Sequence, residues 1–368
     1  MRANYQQLGN YIRQVEVRNK AQDVSLLLGL SIEKKFIPSI ANTIGTDMSS
    51  YKIVAPMQFA YVPVTSRNGD KITIALYKGE EKALISQAYT AFEITNVDAL
   101  LPDYLMLWFK RPEFDRYARF KSHGSAREVF DWDEMCNVML PVPPIEEQKR
   151  IVAQYQAVEK RIRNNEQLIA RLEDTAQAIF RHRFVENIDP NNLPYGWRMG
   201  NIFDVAELYD NLRVPLSNDV REKMQKIYPY YGATCMMDYV DDYHFDGIYL
   251  LMGEDGSVVK ENGTPYLQYV YGKFWVNNHA HVLQGKNGFS TELLYILLSQ
   301  YMIRELVTGA VQAKLSQGNM ALIRVVIPSY DVLKEVCTRI DTLFSYIRSL
   351  QKEISILLET NGLIINSL

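Results

Sequence analysis

The chain carries one plan twice, 185 residues apart, and this duplication limits the possible folds more than any other feature. Sliding residues 124–182 onto 309–367 without a gap superposes Gly124 on Gly309, Met135 on Met320 and Pro143 on Pro328. After each proline comes an apolar seam that steps 4-3-4-3 without a slip. The first runs through Ile151, Tyr155, Val158, Ile162, Asn165, Ile169, Leu172, Ala176 and Ile179. The second runs through Val336, Ile340, Leu343, Ile347, Leu350, Ile354, Leu357, Asn361 and Ile364. That spacing puts every named side chain on one face of a helix that packs lengthwise on a partner.

Four segments follow. Residues 1–143 read as a mixed globular unit, 144–186 as a first long helix, 187–328 as a second globular unit and 329–368 as a second long helix. In the first unit, Tyr51–Val54 and Lys71–Leu76 alternate like strands, with a turn at Arg67-Asn68-Gly69-Asp70. Leu100–Phe120 reads as a helix broken by Pro102 and Pro112, and Val138–Val142 as a closing strand. Pro144 suits the first turn of the long helix, and Glu146 and Glu147 complement its positive end. In the second unit Glu254-Asp255-Gly256 and Glu261-Asn262-Gly263 read as turns, Leu293–Val307 as a helix and Leu322–Ile327 as the closing strand. Leu8-Gly9-Asn10-Tyr11-Ile12 recurs as Met199-Gly200-Asn201-Ile202-Phe203, an offset of 191. Between the copies the middles, roughly residues 20–100 and 210–290, do not match. The frame is shared and the faces differ.

The fold class expected is α+β: two mixed α/β domains separated by two long antiparallel coiled-coil helices, with a pseudo-twofold internal repeat. The seam from Ile151 to Ile179 spans about 42 Å at 1.5 Å per residue. Antiparallel pairing with full overlap sets Tyr155 opposite Asn361, Asn165 opposite Leu350 and Ala176 opposite Ile340. It also puts the globular units at opposite ends about a pseudo-twofold axis. A DNA duplex backbone has local twofold axes too, so each unit can dock a groove alike while reading a different sequence.

Composition narrows the classes. Net charge is −3, with +1 over residues 1–143 and −4 over 187–328, so a DNA partner requires local positive patches. The sequence lacks a run of eighteen apolar residues, which argues against a bilayer span, and Met1–Asn10 lacks the apolar stretch of a signal peptide. Cys136, Cys235 and Cys337 lie far apart, which fits a reducing cytoplasm and argues against a zinc site or disulfide frame.

Val142-Pro143-Pro144-Ile145-Glu146-Glu147-Gln148-Lys149-Arg150-Ile151, opening a long helix, resembles the specificity subunits of type I restriction-modification systems. Tyr228-Pro229-Tyr230-Tyr231-Gly232-Ala233-Thr234, Glu254-Asp255-Gly256-Ser257-Val258 and Gly272–Leu283 are similar to that family's target recognition domains. The likeness covers the whole chain. One departure is Pro328-Ser329-Tyr330-Asp331-Val332-Leu333, which lacks the Pro-Ile-Glu-Glu-Gln wording of the first copy. The resemblance implies a non-catalytic reader of double-stranded DNA, with each target recognition domain taking one half of a split, asymmetric site. It implies docking of two methyltransferase subunits and a restriction subunit. S-adenosylmethionine, ATP and magnesium would belong to those partners, with no cofactor or metal in this chain. A coiled-coil scaffold whose globular units bind proteins is the alternative.

Independent catalysis needs a site, and the sequence offers little. Pro143-Pro144 is flanked by Val142 and Ile145, not by the residues of an Asn-Pro-Pro-Tyr tetrapeptide, and a Gly-rich loop with Lys-Ser/Thr is missing. Glu33-Lys34-Lys35 has a nuclease-like Glu-x-Lys spacing but lacks an upstream Pro-Asp. His279 and His281 share one side of a strand and could ligate a metal, though satisfied histidines are the plainer reading.

Base edges are read by Arg, Lys, Asn, Gln, Ser and Thr. Lys121, Ser125 and Arg127 lie between helix and closing strand in the first copy; the counterpart stretch, 308–317, supplies Gln312, Lys314 and Gln317, and Arg127 falls on Gln312. Lys34, Lys35, Arg67, Asn68, Tyr231, Thr234, Lys273 and Asn277 complete the DNA-contact candidates. The tyrosine clusters at 228–231 and 239–249 are expected to pack rather than to stack on bases.

Overall fold

The computed structural model describes residues 5–39, 45–66, 69–122, 128–186, 188–309 and 312–368. The chain forms two compact units, Met1–Asn164 with Ile354–Leu368, and Asn165–Glu353. Each therefore contains part of both long helices, which run Ile145–Phe184 and Tyr330–Asn366. Among the described residues no helix is long and apolar enough to cross a membrane.

In the first unit, Tyr5–Gln7 pairs antiparallel with Met139–Pro141 and leads into a 3-10 turn, Leu8–Asn10. An antiparallel sheet has the strand order Ile12–Val15, Thr90–Ile94, Phe59–Tyr61, Ile74–Leu76. Leu28–Leu30 pairs with Phe36–Pro38, and Lys52–Val54 with Ala83–Ile85. The core gathers Phe59, Phe92, Phe109, Phe114 and Phe130, with the Phe59 and Phe92 rings stacked 4.9 Å apart. Burying each ring contributes about 1.5–3 kcal/mol.

Pro102 and Pro112 do not interrupt one helix. They open two, Pro102–Phe109 and Pro112–Ser122. A first-turn proline loses no intrahelical hydrogen bond, so the prolines set the helix starts. The strand expected from Lys71 begins only at Ile74.

The glutamine of the Pro-Pro-Ile-Glu-Glu-Gln segment has a structural task. Gln148 is fully buried; its Nε2 donates to the Ala99 and Pro143 carbonyls at 2.9 and 2.8 Å, and its Oε1 accepts from the Leu101 amide at 2.8 Å. It ties the long helix to the residue preceding helix Pro102–Phe109 and to the end of the closing strand. Its counterpart, Leu333, is buried in the second unit's core. There Ser290 caps helix Thr291–Ser299 by accepting from Leu293 N. A different cap explains the different wording of the second copy.

In the second unit Arg198–Asn201 pairs antiparallel with Arg324–Ile327. Among the described residues a six-stranded sheet runs Ala206–Leu208, Ala280–Gly285, Phe245–Gly253, Leu267–Val276, Tyr228–Tyr231, Met236–Val240. Only Tyr228–Tyr231 against Leu267–Val276 is parallel. The helix expected over Leu293–Val307 stops at Ser299. Ser299 Oγ and Gln300 Nε2 both donate to the Ile296 carbonyl, offering its last turn another partner, and a short 3-10 turn, Arg304–Leu306, follows.

The strand registers fix the repeat more finely than the letters do. Tyr5 faces Pro141 and Met199 faces Val326, and the amides of Leu8 and Ile202 donate to Val138 O and Ile323 O. The opening strands are thus related by 194 residues, not the 191 suggested by matching Leu8-Gly9-Asn10 to Met199-Gly200-Asn201. Pairing with the closing strand, not identity of the turn residues, sets the correspondence.

None of the seam residues named above is exposed. In the first unit the end of the second long helix runs against the start of the first, where Asn361 Nδ2 donates to Glu159 Oε1 at 2.8 Å. In the second unit the start of the second helix runs against the end of the first, where Arg183 pairs with Glu335 at 2.8 Å. The pairing is antiparallel in each. Its polar contacts differ from expectation: Tyr155 does not bond Asn361, because its hydroxyl accepts from Lys110 Nζ at 2.7 Å and the amide finds a carboxylate one turn further on. Ala176 and Ile340 lie in the same core. Asn165 is buried, with no hydrogen-bond partner for its amide nitrogen among the described residues.

Candidate functional site

In the second unit four loops meet at one edge. The Gly232 amide donates to Cys235 O at 2.9 Å, making the turn that carries Thr234, and the Asn277 amide donates to Tyr231 O at 3.0 Å. The Glu254 amide donates to His279 O, Gly256 N to Ala313 O and Leu315 N to Glu254 O, all within 2.9 Å. Gly256, at φ +78°, takes a conformation that a side chain disfavours. Tyr231, Thr234, Asn277, Lys314 and Gln317 are thereby brought close in the fold; Gln312, exposed, sits in the same loop as Lys314.

Beneath the loops lies a charged cluster that sequence reasoning largely missed. Arg213 Nη1 contacts Glu254 Oε2 at 2.6 Å and its Nη2 contacts Asp210 Oδ2 at 3.3 Å, with all three side chains no more than 14% exposed. His281 Nδ1 meets Asp210 Oδ2 at 2.6 Å and its Nε2 meets Leu315 O at 2.7 Å. Asp210 Oδ1 accepts from Val282 N, and its Oδ2 also accepts from Gln317 Nε2 at 2.9 Å. Burial pushes the Asp210 carboxyl up, but the hydrogen bond and charge of His281, the Val282 amide and Arg213 outweigh it and hold the carboxyl below its ordinary value.

Asp210, Glu254 and His281 offer ligand atoms within 4.8 Å of one another. The donor set fits an ion pair network instead. Both His281 ring nitrogens are already engaged by protein groups, Nδ1 by Asp210 Oδ2 and Nε2 by the Leu315 carbonyl. Arg213 bridges the two carboxylates. His279 does not join His281; it precedes the strand, is exposed, and bonds Asp255.

Several candidates are committed to packing. Lys34 is buried, not presented to solvent. Its left-handed backbone (φ +57°) at the hairpin tip sends Nζ inward to Asp115 Oδ1 at 2.8 Å and to the Phe109 carbonyl at 2.5 Å. That carbonyl ends a helix, where a cation is favoured. Asn277 is 4% exposed, and its Oδ1 accepts from His279 N. Tyr231 packs edge-on against Phe274. Lys121 pairs with Glu134 at 3.1 Å. Lys314 is about half exposed and lies 3.4 Å from Glu254. Lys273 is exposed with Nζ 4.4 Å from the Tyr243 ring centroid, and Lys35 is exposed. Arg67, Asn68, Ser125 and Arg127 lie outside the described residues.

The family described as Type I restriction modification DNA specificity domain matches the chain twice, over residues 18–174 and 194–360. The chain belongs to that family. A Haemophilus influenzae protein named as a type I restriction enzyme specificity subunit is 35% identical over 140 residues, 38% of this chain and 35% of that one. The EcoprrI specificity subunit of Escherichia coli is 22% identical over 135 residues, 36% of this chain and 32% of that one. These matches span about a third of the length of either relative. The crystal structure of a type I restriction-modification S subunit from M. genitalium aligns over 99% of this chain and 96% of its own. The TM-score is 0.57 at 13% identity, a likeness of fold. The two specificity domains share their frame, an opening strand on a closing strand ahead of a long helix, and differ in their sheets.

Proposed function

We propose that this chain is the DNA sequence-recognition subunit of a type I restriction-modification complex, reading a bipartite, asymmetric site in duplex DNA without catalysing a reaction itself. The observation that carries the reading is the difference between the two specificity domains. One has a four-stranded antiparallel sheet with order Ile12–Val15, Thr90–Ile94, Phe59–Tyr61, Ile74–Leu76; the other has six strands with a parallel pair, among the described residues. Like frames bearing unlike faces suit two different half-sites. Identical faces would suit a palindrome.

In this reading the half-site contacts come from the exposed loop residues Gln312, Lys314 and Gln317 and the partly buried Thr234 in the second unit, and from Lys35 and Lys121 with Arg67, Asn68, Ser125 and Arg127 in the first. Lys273 is suited to a phosphate. The long helices receive two methyltransferase subunits, and a restriction subunit joins the assembly. S-adenosylmethionine, ATP and magnesium are bound by those partners, in a prokaryotic cytoplasm.

The test is gel retardation by the complex reconstituted with its methyltransferase, on duplexes carrying the whole site or either half altered. Loss on altering either half supports the reading. Retardation insensitive to sequence contradicts it.

A further inference from the structure

The first unit has a cavity of about 560 Å³ between helix Pro102–Phe109 and the start of the first long helix. Met106, Leu107 and Val152 make its apolar wall, and Lys35, Lys78, Lys110, Lys160 and Arg163 bring cations to it. Only two carboxylates line it, and both are engaged: Asp103 pairs with Lys78, and Glu159 accepts from Asn361 while standing 3.8 Å from Arg163. Among the described residues no carboxylate lies within ion-pairing distance of Lys35, Lys110 or Lys160. Lys110 is half-buried, and its Nζ has the Tyr155 hydroxyl and ring as partners. Burial holds its ammonium below the usual lysine value; the charge of Glu159 opposes that shift, and Lys35 and Lys78 add to it.

The second copy closes the equivalent place. The helix starts Pro102-Asp103 and Thr291-Glu292 correspond, as do Arg163 and Arg348 on the long helices. Arg348 Nη1 turns onto Glu292 at 2.8 Å and onto the Tyr269 hydroxyl. Phe344 stands where the first copy has Glu159, and Tyr295 where it has Met106. Their rings, with Tyr269, pack at 5.0 and 5.8 Å. Ser299 replaces Lys110. The same frame can thus be filled with aromatic rings and one satisfied ion pair. The first copy instead keeps an opening with a surplus of positive charge.

We propose that this cavity binds a small phosphate-bearing anion of nucleoside polyphosphate size, with Lys110 and Lys160 on the phosphates and the apolar wall against the remainder. The volume falls in the range of small-ligand sites, roughly 300–1,000 Å³. A duplex presents its phosphates on a convex surface about 20 Å wide and cannot enter it. Ammonium groups without carboxylate partners bind phosphate oxygens through charge-assisted hydrogen bonds.

Calorimetric titration of the full chain with sodium tripolyphosphate and with ATP, free of divalent metal and at low salt, tests this. One-site saturable binding of either probe is expected, weakening with ionic strength. Lys110→Met and Lys160→Glu each weaken it about tenfold or more. Lys223→Glu, an equal change of charge at an exposed position of the second unit, leaves it unchanged. Lys160 is exposed, so its variant keeps the test open if Lys110→Met folds poorly. Absence of saturable binding overturns the proposal, and so does equal weakening by Lys223→Glu. Sensitivity to Lys110→Met of short-duplex binding alone, with neither probe bound, would overturn it in favour of a backbone contact.

Discussion

The Asn361 amide nitrogen donates to Glu159 Oε1 at 2.8 Å, tying the end of the second long helix to the start of the first. A double-mutant cycle with Asn361→Ala and Glu159→Ala, read by chemical denaturation, is expected to give a coupling of about 1 kcal/mol. Zero coupling, with Tyr155→Phe coupled to Asn361→Ala instead, would restore the register in which phenol meets amide.

Arg213 holds two carboxylates that are almost wholly buried. Arg213→Met removes the guanidinium that joins Asp210 to Glu254 and is expected to cost about 3–5 kcal/mol of stability. The unfolding midpoint of the variant measures it. A cost below about 1 kcal/mol would mean that His281 and Lys314 suffice.

Glu173 gives a pH signature. Burial, with the neighbouring Asp174 charge, pushes its carboxyl above the ordinary value of 4.5. Between 4.5 and the raised value the folded state holds more protons than the unfolded one, so this group's contribution falls as pH rises through that window. Glu173→Gln does not titrate there. Its thermal midpoint should gain on the parent chain from acid to neutral pH; a pH-independent difference contradicts the assignment.

Gln312 is exposed in the loop that Lys314 closes. Gln312→Ala is expected to weaken binding to duplexes with the correct second half-site by about 1–3 kcal/mol and to relax preference there. Equal weakening on every sequence would make it a phosphate contact.

The frame was legible because heptad spacing and the repeated glycine, methionine and proline positions are local signals. Even so, ladder hydrogen bonds moved the opening strands' correspondence by three residues, since matching turn letters need not occupy matching register. The site was less legible. Lys34 reads as a surface cation, and only a left-handed residue at a hairpin tip turns it toward Asp115. Asp210 and Arg213 sit three residues apart on one 3-10 turn, but Glu254 and His281 join them from strand ends far along the chain, so no spacing links the four; His281, singled out for a possible metal, was the visible clue. Gln148 could be read as part of a motif, but its role depends on carbonyls far away in sequence.

The most direct test is to map methylated bases across a genome modified by this chain assembled with its methyltransferase subunit. One motif of two unlike half-sites flanking an unspecified spacer is predicted. An uninterrupted motif, a pair of identical halves, or modification without any common sequence would contradict the account.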